Sequence, residues 1–245
     1  VRIASYNLQK CVGIDMQRRP ARSMVVIRAL RADIVVLQEA DKRLPPRPTA
    51  LPRDLVEKKG LMPVDFGQPR GSLGWHGNAM LLRPSIKVIE AQGLDLPGLE
   101  PRGAIRADLD TEEGPIRVIG LHLGLLRRYR LMQLNAVSRV LRRLPPLPTI
   151  IAGDFNEWGP KTALDAATPG FDFVPTGHTF PAPRPIAALD GFAHTENVIA
   201  KNHGILTRIP AQAASDHLPI WMDFDVTDET PSQTSRQTAT RKANA

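Results

Sequence analysis

Residues Thr149–Trp158 read TIIAGDFNEW, and this stretch decides the fold. It opens as a short apolar run, Thr149-Ile150-Ile151-Ala152, with the length and β-branched content of a buried strand. The run breaks at Gly153 and presents Asp154 and Asn156 with one residue between them. In extended backbone, residues i and i+2 point to the same side. A carboxylate and an amide then face one point at the mouth of a sheet. Gly-Asp-x-Asn is also good turn chemistry, so the stretch takes its chemical meaning from its company.

That company is a recurring construction. Four other segments run apolar and stop on a polar residue: Val1–Asn7 on Asn7, Ile34–Glu39 on Glu39, Ile116–His122 on His122 and Ala187–Asp190 on Asp190. A sixth piece, Ala214-Ser215-Asp216-His217, instead precedes an apolar strand, Leu218–Val226. Buried strands seldom end repeatedly on uncompensated ionisable groups. If these ends gather at one sheet edge, the site holds Asn7, Glu39, His122, Asp154, Asn156, Asp190, Asp216 and His217.

Composition bounds the partners. The chain has 245 residues, 42% of them apolar, enough for a substantial core. Lys and Arg exceed Asp and Glu by 7, which favours anionic partners such as nucleic acid, phospholipid headgroups or phosphorylated metabolites without choosing among them. The single cysteine, Cys11, excludes an internal disulfide. No run approaches the roughly 20 apolar residues of a transmembrane helix, and no signal-peptide pattern is visible ahead of the first strand, which leaves a processed leader open. The expectation is a cytoplasmic monomer.

Along the chain, a strand–helix–strand opening (Val1–Asn7, Ala21–Leu30, Ile34–Gln38) marks an α/β protein. Arg53–Lys59 reads as a short helix closed by Gly60. Asn78–Leu82, Ile86–Ala91, Ile105–Leu109 and Ile116–Leu121 read as strands. The third of these sets Ile105, Ala107 and Leu109 against Arg106, Asp108 and Asp110. Their short connections imply antiparallel pairing and a mixed sheet. Leu125–Leu144 reads as the clearest helix, striped by Leu131, Leu134, Val137, Leu141 and Leu144. Arg127, Arg128 and Arg130 start it just after His122, close enough for phosphate contact. Thr162–Thr168 reads as a short helix, and Asn197–Ala200 and Ile205–Ile209 as short strands. Residues 1–226 form one expected domain, and residues 227–245 a polar, disordered tail.

The side chains point to one class of chemistry. Asn7 and Glu39 offer oxygen ligands suited to a hard cation such as Mg²⁺ or Mn²⁺, and Asp216 can add a second carboxylate. Zinc is disfavoured by the lack of paired cysteines and of close His spacing. A serine hydrolase needs an activated serine, and no G-x-S-x-G is present. Asp190 and His217 can form a carboxylate–imidazole pair that orients the ring and raises its basicity. Asp154, held by Asn156, can orient or deprotonate water. His122 can donate to a phosphate or a leaving oxygen. Together the parts suit metal-assisted attack of water on a phosphate ester.

The ordered set Asn7, LQE ending at Glu39, Gly77-Asn78, HLG from His122, GDFN from Gly153, Leu189-Asp190 and SDH at Ser215–His217 resembles the endonuclease/exonuclease/phosphatase superfamily, the deoxyribonuclease I-like proteins. The likeness spans Val1–Phe224. It implies a four-layer α/β sandwich, two packed mixed sheets flanked by helices, with one or two Mg²⁺ near Glu39. Carried over by position, Glu39 would be the main metal ligand, helped by Asn7 and Asp216. Asp154 and Asn156 would handle the water and the phosphate, Asp190 would pair with His217, and His122 would sit on the phosphate side. Asn78, Arg102 and Arg130 would contact substrate. The overall likeness is to a group of small bacterial members that share HLGL, Arg130, Gln133 and the Thr179-Phe180-Pro181 segment. Many of these read LDRI where this chain has Leu189-Asp190-Gly191-Phe192, so one substrate contact differs.

The resemblance implies hydrolysis of a phosphodiester in nucleic acid, phospholipid or another small diester. A phosphomonoesterase acting on a phosphorylated lipid or small molecule is the alternative. A silent binding module on the same fold would have lost Glu39, Asp154, Asp190 or His217, and all four are present.

Overall fold

The computed structural model describes residues 1–42 and 48–227. Part of the expected loop at residues 41–52, and the expected disordered tail beyond Thr227, lie outside the described residues. In chain order the strands are β1 (Arg2–Asn7), β2 (Ile34–Gln38), β3 (Met62–Pro63), β4 (Ala79–Leu82), β5 (Lys87–Asp95), β6 (Gly103–Thr111), β7 (Gly114–His122), β8 (Thr149–Asp154), β9 (Asp172–Val174), β10 (Asp190–His194), β11 (Val198–Ile205) and β12 (Ile220–Val226). They form two six-stranded sheets, ordered β11-β12-β1-β2-β4-β3 and β5-β6-β7-β8-β10-β9. Each sheet is mixed: β1 runs parallel to β2 and β7 parallel to β8, and the other pairs are antiparallel.

The alternation of apolar side chains builds the layers. On the faces that meet, Ile3, Val36 and Ile220 of the first sheet share a core with Ile105, Val118 and Ile150 of the second. The sheets come so close at Gly120 that a Cβ there would lie 2.6 Å from Val36 Cγ1. Outside the first sheet, α1 (Pro20–Ala29) lays Met24 and Ile27 against Tyr6, Val35 and Leu81, with α2 (Arg53–Glu57) and α4 (Ala211–Ala214) beside it. Pro20 opens α1 where its missing N–H costs nothing. Outside the second sheet, α3 (Arg127–Leu141) packs Leu134 and Val137 onto Ile119, Leu121 and Ile151. Truncating such a fully buried leucine to alanine costs about 2–5 kcal/mol. The result is the four-layer α/β sandwich expected from the sequence. Among the described residues, no helix is long and apolar enough to cross a membrane.

Several local expectations are corrected. Ile205–Ile209 is not a strand. One longer strand, β11, runs from Val198 to Ile205 and absorbs the stretch read as Asn197–Ala200, because its partner β12 offers backbone along its whole length. Asp190 does not end a strand but begins β10. Since β10 is antiparallel to β8, its first residue lies at the edge where β8 ends. Lys161–Ala167 is a 3-10 helix. Of the polar side chains alternating along β6, only Asp110 is open to water. Arg106 and Asp108 are buried, and Asp108 accepts from Arg117 Nε and Nη2 at 2.8 Å each and from Arg106 Nη1 at 3.3 Å.

This topology positions the site. The C-terminal ends of β1, β2, β7 and β8 share one edge of the sandwich. The N-terminal ends of their antiparallel partners β4, β6, β10 and β12 lie at the same edge.

Candidate active site

Strand register alone brings three of the polar residues abreast. His122 on β7 pairs with Asp154 on β8, and Asp154 pairs with Asp190 on β10. β8 can bring its last turn this close to β7 because Gly153 (φ +155°) has no Cβ, which would stand 2.0 Å from the Leu121 carbonyl oxygen.

Asp154 is the centre, buried and held on both oxygens. Asn7 Nδ2 donates to Oδ2 at 3.1 Å, and the Asn156 backbone N–H donates to Oδ1 at 2.9 Å. His122 Nε2 and His217 Nε2 lie 3.4 and 3.7 Å from the same Oδ2. Asn156 lines the cavity, with its amide nitrogen turned to the backbone. Its Nδ2 donates to the Leu123 carbonyl at 2.8 Å, which locks the turn after β8.

Behind His217 stands Asp190. Its Oδ2 is 2.8 Å from His217 Nδ1 and accepts from Thr179 Oγ1 at 2.6 Å. Ser215 Oγ donates to the Asn7 carbonyl at 2.7 Å and accepts from the His217 N–H at 3.2 Å, so β1 and the segment before β12 are tied together. The Phe180 ring lies 5.0 Å from the imidazole, and the Trp158 ring lies 5.9 Å beyond it.

The environment drives the two histidines apart. Burial lowers the His122 imidazole to about 3. Arg102, His217 and Lys10 push the same way, and Asp154 only partly opposes them, so the ring is neutral. Burial also acts to lower His217, but Asp190, Asp154 and Asp216 together outweigh it and raise the ring to about 10, so it is an imidazolium. Neighbouring groups held in opposite protonation states are a mark of acid–base sites.

Backbone strain gathers at the same place. Gln9, Lys10, Cys11, Glu39, His76 and Asn156 all have φ between +46° and +59°. For side-chain-bearing residues this left-handed region costs roughly 1–2 kcal/mol each and recurs at functional sites.

The residues open on a cavity of about 470 Å³, lined by Asn7, Glu39, His122, Asp154, Asn156 and His217 among others. Its donors suit a hard cation. Glu39 already holds one: the Lys10 ammonium sits on Glu39 Oε2. Asp216 is tied to the segment after β1, its backbone N–H donating to Gln9 Oε1 at 3.2 Å, and its carboxyl is raised by burial and by Glu39. Among the described residues, ligand atoms of Asp154, Asp190 and His217 also lie within 4.8 Å of one another, a grouping that can hold a metal ion.

Of the three residues expected to contact substrate, only Arg102 lines the cavity, where its Nη2 is 2.7 Å from Glu100 Oε2. Asn78 is buried and donates to the Gly103 carbonyl at 2.8 Å, tying β4 to β6. Arg130 is buried in α3. Its Nη2 donates to Glu157 Oε2 at 3.0 Å and its Nη1 to the Leu125 carbonyl at 2.6 Å. These bonds hold the walls.

Two contributors carry no sequence signal. Trp158 lines the cavity, although it reads only as the end of TIIAGDFNEW. Lys161 reaches from the 3-10 helix to the Ala188 and Leu189 carbonyls, just before Asp190, and burial lowers its ammonium to about 8. Its Cε lies over Gly191, where a Cβ would come within 3.2 Å of it.

The fold recurs in known proteins. The uncharacterized protein YbhP of Escherichia coli (strain K12) is 30% identical over 212 residues, covering 79% of this chain and 83% of that protein. The mannosyl-6-phosphatase Bt3783 of Bacteroides thetaiotaomicron shares the fold with a TM-score of 0.69 at 19% identity, covering 91% of this chain and 99% of that one. D. rerio TDP2, solved with a single-strand DNA product, has a TM-score of 0.70 at 18% identity, covering 92% of this chain and 99% of that one. Residues 4–217, from β1 through the imidazolium of His217, match one family along their whole length, and the chain belongs to the endonuclease/exonuclease/phosphatase family.

Proposed function

We propose that the protein is a divalent-metal-dependent phosphoesterase that hydrolyses a phosphodiester by attack of water. One observation carries the reading: Asp154 Oδ2 stands among Asn7 Nδ2, His122 Nε2 and His217 Nε2 on the wall of one cavity. Family membership supplies the reaction class, since its nucleases and phosphatases act on phosphate esters.

Each side chain has a role in this reading. Asp154, fixed by Asn7 and the Asn156 N–H, accepts the proton of the attacking water. His217, kept cationic by Asp190, donates to a phosphate oxygen and stabilises charge as it develops there. Neutral His122 donates a hydrogen bond without adding a second positive charge. Glu39, Asn7 and Asp216 would hold the divalent cation, for which the Lys10 ammonium on Glu39 is a stand-in. When bound, Mg²⁺ or Mn²⁺ supplies Lewis-acid neutralisation of the phosphate.

A cavity of about 470 Å³ suits a headgroup- or nucleotide-sized ligand. The fold neighbours named above include both a sugar phosphatase and a protein bound to DNA product, so fold alone does not select diester over monoester. The test is hydrolysis of bis-p-nitrophenyl phosphate against p-nitrophenyl phosphate, with Mg²⁺, Mn²⁺ or EDTA. Metal-dependent cleavage of the diester, lost in His217→Ala, supports the proposal. Cleavage of the monoester alone moves the reading to a phosphomonoesterase.

A further inference from the structure

The large apolar side chains left in water are unevenly placed. Among the described residues, fourteen are strongly exposed. Eight of them sit in the loops at the end of the sandwich where the cavity opens, including Met16, Leu99, Leu126, Trp158, Ile186 and Ile209. These six are between 55% and 85% exposed. They come from six different connections, those after β1, β5, β7 and β8 and those before β10 and β12, so no single irregular loop accounts for them.

Part of this set borders the cavity. Leu99 and Leu126 line a small side pocket together with Leu125, which also lines the main cavity beside Glu100. Ile186 is held to Phe180, which also lines the cavity, by its N–H donating to the Phe180 carbonyl at 2.8 Å.

Four of the five aliphatic projections named, all but Leu99, have an exposed arginine within two residues. Arg18 follows Met16, Arg127 follows Leu126, Arg184 precedes Ile186 and Arg208 precedes Ile209. Aliphatic tips interleaved with guanidinium groups match an anionic bilayer surface, where the tips enter the acyl boundary and the cations meet the phosphates. Single-stranded nucleic acid would call for aromatic platforms, and Trp158 is the one aromatic residue among the eight.

We infer that this end of the molecule docks on an anionic phospholipid surface and presents the cavity to phosphoesters held in that surface. The inference rests on the phosphoesterase reading for the second clause alone. Vesicle binding is independent of catalysis.

The experiment is sedimentation of the full chain with sucrose-loaded vesicles of phosphatidylcholine, with and without phosphatidylglycerol. Hydrolysis of water-soluble bis-p-nitrophenyl phosphate is followed in parallel. Binding should require phosphatidylglycerol and weaken with salt. It should fall about tenfold or more in Leu126→Ser/Ile186→Ser/Ile209→Ser and in Arg184→Glu/Arg208→Glu. Turnover of the soluble diester should be unchanged in both variants, which also shows that they fold. Failure to sediment with any vesicle, or sedimentation indifferent to both variants, overturns the inference. So does retention of single-stranded DNA lost in the same variants while vesicles are ignored. Vesicle binding without diester hydrolysis would leave the docking surface standing and count against the phosphoesterase reading instead.

Discussion

His217 Nδ1 lies 2.8 Å from Asp190 Oδ2, and this bond sets the charge of the imidazole that faces Asp154. Burial alone would leave the ring neutral. The carboxylates of Asp190, Asp154 and Asp216 raise it to about 10. In metal-free protein, the His217 ring should therefore stay protonated through neutral pH and lose its proton near 10. In Asp190→Asn, burial is opposed by less negative charge and the titration should move well down. NMR titration of the ring reads this directly. Diester turnover in the variant should fall about a hundredfold or more, with its alkaline limit displaced toward neutral. An unchanged ring titration would show that Asp190 does not set the charge.

His122 makes the opposite contribution to stability. Its folded value, about 3, lies below the ordinary 6.5 because the ring is buried. The unfolded chain therefore binds a proton that the folded chain refuses between those limits, and stability drops as pH falls through that window. His122→Phe removes the refusal. Urea denaturation at about pH 7 and about pH 4.5 should show a smaller acid loss in the variant than in the wild type. Equal losses would mean that His122 is solvated or already charged.

Lys10 and a divalent cation compete for Glu39 in this geometry. Lys10→Met removes the resident cation and should tighten Mn²⁺ binding about three- to tenfold, measured by calorimetry. Glu39→Gln should weaken it below detection. If Lys10→Met weakens binding, the ammonium helps to assemble the metal site instead of occupying it.

Arg130 should matter for stability. Removing it leaves the Glu157 carboxylate buried without its partner. Arg130→Ala should cost about 3 kcal/mol in denaturant unfolding. Arg130→Ala/Glu157→Leu should recover much of that loss. Equal instability of the single and double variants would show that the arginine acts through packing alone.

Much of the site was legible because strands that end on polar residues announce where a sheet edge does chemistry. Asn7, Glu39, His122 and Asp154 each follow an apolar run, and the parallel pairing of β1 with β2 and of β7 with β8 puts those ends on one side. Asp190 sits at the same edge for a reason that local sequence does not carry: β10 runs antiparallel to β8, so the edge receives its first residue.

Asn78 and Arg130 show the limit of such reading. Motif position places their backbone near the cavity, but the direction of each side chain depends on partners far away in sequence, the Gly103 carbonyl for Asn78 and Glu157 for Arg130. Lys161 and Trp158 were invisible for the same reason. One acts through the 188–189 backbone, and the other gains its setting from Phe180. The buried ion pair of Asp108 with Arg117 likewise depends on cross-strand pairing, which brings the two residues opposite each other.

The central claim is that Asp154 and a divalent cation act on a phosphodiester in this cavity. The most direct measurement is the turnover of bis-p-nitrophenyl phosphate by wild type and Asp154→Asn across a Mg²⁺ titration, with calorimetric metal binding followed on the same samples. The predicted result is metal-dependent turnover in the wild type, abolished by EDTA, and a loss of about a thousandfold or more in Asp154→Asn with metal still bound. Turnover by Asp154→Asn equal to wild type, or wild-type turnover indifferent to EDTA, would contradict it.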